Sequence, residues 1–436
     1  MAKKEKVKRT PKQKLKKAGI VLLVIVLVIA LIRCAIGIVN YVGTKAEREF
    51  VNGAITQVSY EEQLVPELAD DGYYSFTTDR AFKLLQITDV HIGAGFMSPQ
   101  KDIMALNAVA AIITEEKPDL VVVTGDISYP IPFQAGTINN KPSAEIFASF
   151  MEKLGVYWCN VYGNHDTEVY SLHNGKSLSK QVYCDKEKYP HCLFQTGPED
   201  VDGYGNYVVN IRNGAGAITQ SLYLLDSHSY ADGDVIGINW LYDCVHENQV
   251  EWYKETAKAL TEENGGALPK SLVFFHIPPL EMKEACAQYV AAGNKDTTAD
   301  VKYRNGVLGE GDAMVCSSKY TYGLFDAFYE SGTQGAFFGH DHLNNISLNY
   351  KGIQLTYGMS IDYLAYPGIT QYGLQRGCTV ITINPDGSFD NYQENYYQDK
   401  YKTVNPKEEV ILDRGMSEDV DNAGAVFDFQ AENNQD

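Results

Sequence analysis

Positive charge is what this chain has least of once its first 33 residues are passed. Those residues hold ten Lys or Arg and one Glu; the overall net charge is −19, so the remainder carries −28. A body this acidic cannot neutralise a phosphate backbone, which argues against nucleic acid as a tightly held partner. No Cys-x-x-Cys pair occurs, so neither a zinc ribbon nor a thioredoxin-type site is indicated. No internal repeat is evident, which sets aside repeat arrays. Of eight Cys, one lies in the N-terminal apolar run and seven follow it. Seven is odd, so at least one is free or pairs between chains. Cys184 and Cys192 bracket a short polar loop, Cys286 and Cys316 a longer insertion, and either pair could close its loop.

What remains is an ordinary globular composition, 44% hydrophobic and 21% charged, over 436 residues. That length suits one large domain with extras, or two domains. The first residues carry the charge asymmetry. A basic segment over 1–17 precedes an apolar run from Ala18 to Val39, interrupted only at Arg33 and Cys34. The run is long enough to cross a bilayer as a helix. The basic cluster should stay cytoplasmic, which puts the body of the protein outside the cell membrane. The competing reading is a cleaved signal peptide ending at Ala35-Ile36-Gly37. An uncleaved single-pass anchor is preferred, because the apolar stretch continues past Arg33. Bulky Arg33 argues against a lipid on Cys34. Residues 40–80 read as a polar stalk, 81–400 as the main domain and 401–436 as an acidic tail.

Within the domain, Phe82 to Thr88 is strand-like. Ile103, Leu106, Ala110 and Ile113 have helical spacing up to Lys117-Pro118. Asp119 to Thr124 is a short continuous apolar run, the pattern of a strand buried on both faces. Together these make a βαβ unit. Trp158 to Tyr162, Ser221 to Leu225, Leu272 to Phe275 and Ala336 to Phe338 are further buried strands. Gly377 to Asn384 is another, and Asn384-Pro-Asp-Gly387 is a turn into a last one. Insertions over 168–206 and 281–320 follow polar motifs and are expected to form a rim.

Five polar motifs punctuate this pattern, four of them after apolar runs. They are Asp89-Val-His91, Gly125-Asp126-Ile-Ser-Tyr129, Gly163-Asn164-His165-Asp166, Val273-Phe-Phe-His276 and Gly339-His340-Asp341-His342. Strand C-termini are where open α/β sheets gather ligand sites, so distant motifs can converge. Their imidazoles, carboxylates and amide are a ligand set for two adjacent metal ions. A two-metal site implies displacement at a phosphate ester. The blander reading of Asp89 and Asp126 is a helix N-cap after each strand, and that of Gly339 to His342 is a polar turn.

The order and spelling of these motifs resemble the calcineurin-like metallophosphoesterase superfamily over roughly residues 81–385. Gly-Asp-x-x-Tyr, Val-x-x-His and Gly-His-x-His look like purple acid phosphatases. Asp202-Gly-Tyr-Gly-Asn-Tyr207, Phe274-Phe-His-Ile-Pro278 and Gly339-His-Asp-His-Leu-Asn344 look closer to the branch related to Dcr2 phosphatase and plant purple acid phosphatase 29. The resemblance implies an α/β fold in which two mixed β-sheets pack together, flanked by helices. It implies one metal on Asp89, His91, Asp126 and His342, and a second on Asp126, Asn164, His276 and His340, with Asp126 bridging. Mn, Fe or Zn, divalent or mixed-valence, suits such a mixed nitrogen and oxygen set. The activity implied is hydrolysis of phosphate esters, monoesters preferred, by hydroxide bridging the metals. His165 would assist the leaving group and Asp166 would orient His165.

Two features depart from the purple acid phosphatase pattern or stand outside it. Purple acid phosphatases have Gly where His91 stands and use the tyrosine of Gly-Asp-x-x-Tyr as an iron ligand. With both His91 and Tyr129 present, His91 is expected as the ligand and Tyr129 as a packed neighbour. His173, His191 and His246 read as surface or loop residues, and His228 could approach the substrate. Arg304 and Arg376 read as surface charge or, less favoured, phosphate clamps. Tyr357, Tyr363, Tyr366 and Tyr372 could line a groove or pack a core. A phosphodiesterase with the same site and a non-catalytic metal-stabilised binding protein are the rival functions.

Overall fold

A computed structural model describes residues 10–169, 175–232, 234, 238–294, 298–310, 314–366, 369 and 376–407. Among the described residues the strands fall into two sheets. The smaller has the order β14-β13-β3-β4-β5. In that order its strands are Phe389–Asn395, Gly377–Ile383, Phe82–Ile87, Leu120–Thr124 and Trp158–Val161. The larger has the order β1-β2-β6-β7-β8-β10-β12-β11-β9. Its strands are Glu67–Leu68, Tyr74–Thr77, Tyr207–Arg212, Ile218–Leu224, Lys270–Phe274, Thr333–Phe338, Ile353–Tyr357, Ser347–Tyr350 and Val301–Asn305. Both are mixed. β3, β4 and β5 are parallel and β13 antiparallel to β3. β7, β8, β10 and β12 are parallel, with antiparallel β6 on one side and β11 on the other.

The period-two geometry of strands explains how one sequence run serves two layers. Leu222, Phe274 and Phe337 join the core between the sheets, with Leu84 and Val121 from the opposite sheet. Their strand neighbours Tyr223, Val273, Phe275 and Phe338 face a second core. Helices α7 (Glu247–Glu263), α8 (Leu280–Ala291) and α9 (Leu324–Glu330) cover that second core. Helices α3 (Pro99–Glu116) and α5 (Lys141–Leu154) add Leu106, Val109, Ile112, Phe147 and Phe150 to the first. β4 is buried at all five positions, as its unbroken Leu-Val-Val-Val-Thr run requires. α3 stops where expected: Lys117 takes a left-handed φ of 48° and donates its N–H to Ile113 O, and Pro118 follows.

The segment expected to be a polar stalk is instead packed on the domain. Helix α1 (Pro11–Gly43) carries the apolar run, and α2 (Lys45–Ala54) follows it directly. Phe50 and Val51 of α2, then Ile55, Val58 and Phe76, are buried in the first core, and β2 pairs in parallel with β6. Each such side chain is worth roughly 1.5–3 kcal/mol. One apolar stripe among Lys, Glu and Arg is enough to dock a helix. At the other end Tyr401 is buried and donates to Glu116 Oε1 at 2.9 Å. The tail from 408 lies outside the described residues.

All eight cysteines are free, so neither expected loop closure forms. Arg376 is not at the surface. It is buried, donates to the carbonyls of Ile361 and Asp362, and stacks 3.5 Å over Tyr363. Arg304 is exposed on edge strand β9.

Candidate metal centre

Five parallel strand ends, β3, β4 and β5 from one sheet and β8 and β10 from the other, deliver the five motifs to one place. Two contacts tie the sheets together there. His276 Nδ1 lies 2.8 Å from Thr124 O at the end of β4, and His340 N–H donates to Asp89 Oδ2 at 3.2 Å. The chain turns sharply after each strand. Asp89, His91, Asp126 and His340 all hold positive φ, between 51° and 82°. Each costs roughly 1–3 kcal/mol in a non-glycine residue, and such strain persists where surroundings over-determine the conformation. Two motif glycines are set by close approach: a Cβ on Gly163 would strike the Asp126 carboxylate, and one on Gly339 the Thr88 hydroxyl.

The side chains meet as linked groups of potential ligands. Asp89, His91 and His342 form one, Asp126, His276 and His340 another, and His91, Asp126 and His165 join the two. Asp126 Oδ2 stands between them, 3.3 Å from His91 Nε2 and 3.1 Å from His276 Nε2. Asn164 Oδ1 completes the second group at 3.1 Å from His276 Nε2. His342 Nε2 lies 3.6 Å from Asp89 Oδ1. Burial opposes ionisation of Asp126, but the His276 and His165 imidazoles outweigh it and hold its carboxyl well below the usual range.

Asp89 Oδ1 and His340 Nε2 are buried with no hydrogen-bond partner in the protein. Buried polar atoms are nearly always paired, and both orphans are ligand atoms aimed into the cluster. The residues present therefore fit two metal ions, with carboxylate, imidazole and amide donors of the borderline type that Mn, Fe or Zn accept. Tyr129 fits as a neighbour. Its ring lies 5.1 Å from that of His91, and its hydroxyl donates to Gln134 Oε1 at 2.8 Å.

The expected His165–Asp166 pair does not form. Asp166 accepts the backbone N–H of Ser128 at 2.8 Å and of Gly163 at 3.0 Å, stapling the β4 loop to the β5 loop. Burial, then the Asp126 charge, pushes its carboxyl up to about 6. His165 instead places Nδ1 2.8 Å from Glu168 Oε2. The reason is local: a 3-10 turn over His165–Thr167 brings residue 168 back under the ring and aims residue 166 inward. Burial disfavours the His165 cation, yet the Glu168 and Asp126 charges outweigh it and raise its pKa.

Three further residues complete the site without having a spacing that marks them. Tyr230 donates to Glu168 Oε1 at 2.9 Å and accepts from Asn164 Nδ2 at 3.1 Å, joining acid and amide in one chain. Tyr242 sets its ring 4.3 Å from that of His340. Asp362 lies beneath both His91 and His342, at 3.1 Å and 3.4 Å from their Nδ1 atoms. The loop carrying Tyr230 and Tyr242, rather than the two insertions as a whole, thus borders the ligands. Among the described residues of 168–206, Glu168 reaches the site through His165 and Tyr230, while Tyr189, Leu193 and Phe194 enter the core.

His228 turns away from the ligands. It stacks on His246 at 3.9 Å and bonds Gln249, while His246 sits between Asp202 and Asp243. His191 pairs with Glu152. Tyr357 is buried and donates to Asp341, Tyr363 lies under Arg376, and Tyr366 stands 6.0 Å from the His342 ring. His173 and Tyr372 lie outside the described residues.

Comparison with known proteins agrees with this geometry. The profile of the calcineurin-like phosphoesterase family matches residues 82–344. The chain is 31% identical over 319 residues to probable inactive purple acid phosphatase 14 of Arabidopsis thaliana, covering 67% of this chain and 73% of that protein. It is 26% identical to probable inactive purple acid phosphatase 29 of the same plant, over 73% of this chain and 81% of that one. It is 27% identical to phosphatase DCR2 of Saccharomyces cerevisiae, over 62% of this chain and 46% of that one. Among solved structures, a dimetal phosphatase from Danio rerio aligns with a TM-score of 0.42 and 12% identity, over 73% of this chain and 96% of its own. The profile spans all five motifs and more than half of the chain, and the chain belongs to the calcineurin-like phosphoesterase family.

Proposed function

We propose that this chain is a membrane-anchored, exported phosphomonoesterase with a two-metal centre. The observation that carries the reading is Asp126 Oδ2, one carboxylate oxygen shared between the His91 and His276 imidazoles. Asp89, His91, Asp126 and His342 would hold one ion; Asp126, Asn164, His276 and His340 the other. When bound, such ions supply an activated water and neutralise phosphoryl oxygens. The chain's own part is proton handling and orientation. His165, kept protonated by Glu168, is placed to give a proton to the departing alcohol. Tyr230 fixes Glu168 and Asn164 together, so the acid and the ligand amide keep one relative position.

Membrane attachment rests on α1, whose most apolar stretch has a mean hydropathy of 3.1 and no buried residues. Orientation rests on the basic segment before it. The word "inactive" in the names of the plant relatives supports a second reading, a metal-stabilised binding protein. Against it stands the intact ligand set here, and one relative is named a phosphatase. The test is hydrolysis of p-nitrophenyl phosphate and bis-p-nitrophenyl phosphate by the full chain with Mn, Fe, Zn or chelator. Asp126→Asn serves as control. Metal-dependent turnover of the monoester, abolished in the variant, is expected. Preference for the diester would move the reading to phosphodiesterase. No turnover by protein holding two metals would leave the binding protein.

A further inference from the structure

Large apolar side chains stand exposed together on one face of the domain. Phe96 is 57% exposed, Met97 52% and Phe133 89%. They form one surface, because Met97 N–H donates to Ala135 O at 3.0 Å and Gly136 abuts the Phe96 ring. Phe133 and Ala135 belong to the short helix α4 (Pro132–Ala135). Exposed apolar groups so grouped usually mark a contact surface.

Their position relative to α1 says what that surface meets. Gly43, the last residue of α1, is packed on this same loop: a Cβ there would lie 2.6 Å from Phe96 N. The 22 residues from Ala18 to Val39, apolar but for the interruption at Arg33 and Cys34, make a helical span of about 33 Å at 1.5 Å per residue, against a hydrocarbon core of about 30 Å. Tyr41 and Gly43 then fall at the level of the headgroups. Tyr41 is exposed, with the Arg48 guanidinium 4.6 Å over its ring, a pairing suited to the interface between lipid and water. Phe96 is held against Gly43 at that same depth.

We propose that Phe96, Met97 and Phe133 enter the interfacial layer of the bilayer that α1 crosses, and that the metal centre acts on phosphate esters of membrane-borne amphiphiles. The substrate clause rests on the phosphomonoesterase reading; the membrane contact does not. The patch and the site are parts of the same loops. Phe96 is five residues beyond His91. Phe133 is four beyond Tyr129, whose ring lies 4.7 Å from that of His165. The patch and the site thus lie on the same two loops, within a few residues of each other.

The experiment uses the full chain in phosphatidylcholine vesicles containing phosphatidic acid, a lipid phosphomonoester. The added emission of Phe133→Trp, relative to wild type, should be quenched by bromine on the lipid chains and spared by aqueous iodide. Quenching by iodide alone, or bromine quenching that vanishes when the chain is diluted in excess lipid, overturns the membrane contact; the second result would assign the patch to another copy of the chain. The triple variant Phe96→Ser, Met97→Ser, Phe133→Ser should lose at least tenfold in phosphatidic acid turnover and keep p-nitrophenyl phosphate turnover. Equal loss on both esters, or loss on neither, overturns the substrate clause. If wild type cleaves neither ester, the phosphoesterase reading fails, and the quenching still decides the contact.

Discussion

Asp362 Oδ1 stands 3.1 Å from Nδ1 of His91, on the side of the ring away from the ligand cluster. Its other oxygen stands 3.4 Å from Nδ1 of His342. One buried carboxylate thus backs two imidazoles of the same ligand group. Burial opposes its ionisation, but the His91 charge outweighs that and keeps its carboxyl far below the usual range. A carboxylate behind a ligand histidine fixes the tautomer that presents Nε2 to the ion. Asp362→Ala should weaken metal binding by roughly 10–100-fold, read by titrating Mn or Zn into chelator-stripped protein. Asp362 also accepts the N–H groups of Leu364 and Ala365 at 2.8 Å and Tyr366 at 2.6 Å. Asp362→Asn keeps an oxygen for the Leu364 and Ala365 N–H groups and loses the acceptor of Tyr366, so it should melt higher than Asp362→Ala while still losing affinity. Undiminished affinity in both variants would make Asp362 a loop cap only.

Glu168→Gln removes the negative partner of His165 and leaves the metal ligands untouched. General acid catalysis contributes roughly 10²–10⁴-fold, and the variant should forfeit at least the lower end of that in kcat. Metal content should remain at two per chain. The loss should be smaller for p-nitrophenyl phosphate, whose leaving group needs little protonation, than for an alkyl phosphate. Equal losses on both esters would show that Glu168 acts on the ligands through Tyr230 and Asn164 rather than through His165.

The free thiols give a simpler check. Cys159, Cys192, Cys286 and Cys378 are buried, and burial pushes the Cys192 thiol up to about 11. A buried thiol kept neutral reacts slowly. Thiol titration should count all eight cysteines in denaturant and far fewer in the native protein. A reductant should leave the melting temperature unchanged within about 1 °C. A count below eight in denaturant would restore one of the loop-closing disulfides.

Legibility followed physical demand. The convergence of the motifs could be read because metal coordination fixes residue type and because four of the five follow an apolar run that is itself legible. Asp89, Asp126 and His340 do meet in one cluster, and their left-handed backbone is the local cost of that placement. Glu168, Tyr230 and Asp362 could not be read. Each is a single polar residue in a loop, and only folding shows that it backs a ligand or an acid. Asp166 departs for the opposite reason: the resemblance implied a pair with His165, but the 3-10 turn aims the two side chains apart. The docked α2 was hidden by its charge, since its apolar stripe is only Phe50 and Val51 among Lys, Glu and Arg. Arg376 was hidden because nothing in sequence distinguishes an arginine on carbonyls and a tyrosine face from one in solvent.

The docked α2 carries the last prediction. Glu47 is 0% exposed and faces Asp102, and neither of its carboxyl oxygens has a hydrogen-bond partner. Burial, then the Asp102 charge, pushes its pKa from 4.5 up to about 8. Asp102 is itself moved up to about 6 by burial, opposed by the N–H groups of Gly93 at 2.9 Å and Ala94 at 2.8 Å. A carboxyl with a raised folded-state pKa binds its proton more tightly folded than unfolded. Its stabilisation is complete below about pH 4.5 and is lost as pH rises through about 8. Wild-type stability should therefore fall across that window by more than the stability of Glu47→Gln, which keeps a neutral side chain of the same shape at every pH. Above pH 8 the variant should melt higher by roughly a few degrees. Below pH 4.5 the two should coincide. Melting curves of both proteins at half-unit pH steps provide the check. Parallel pH dependence would mean that Glu47 ionises freely and that α2 does not hold it against Asp102. Because Asp102 anchors Gly93 and Ala94 just beyond His91, the same pair ties α2 to the loop that carries His91.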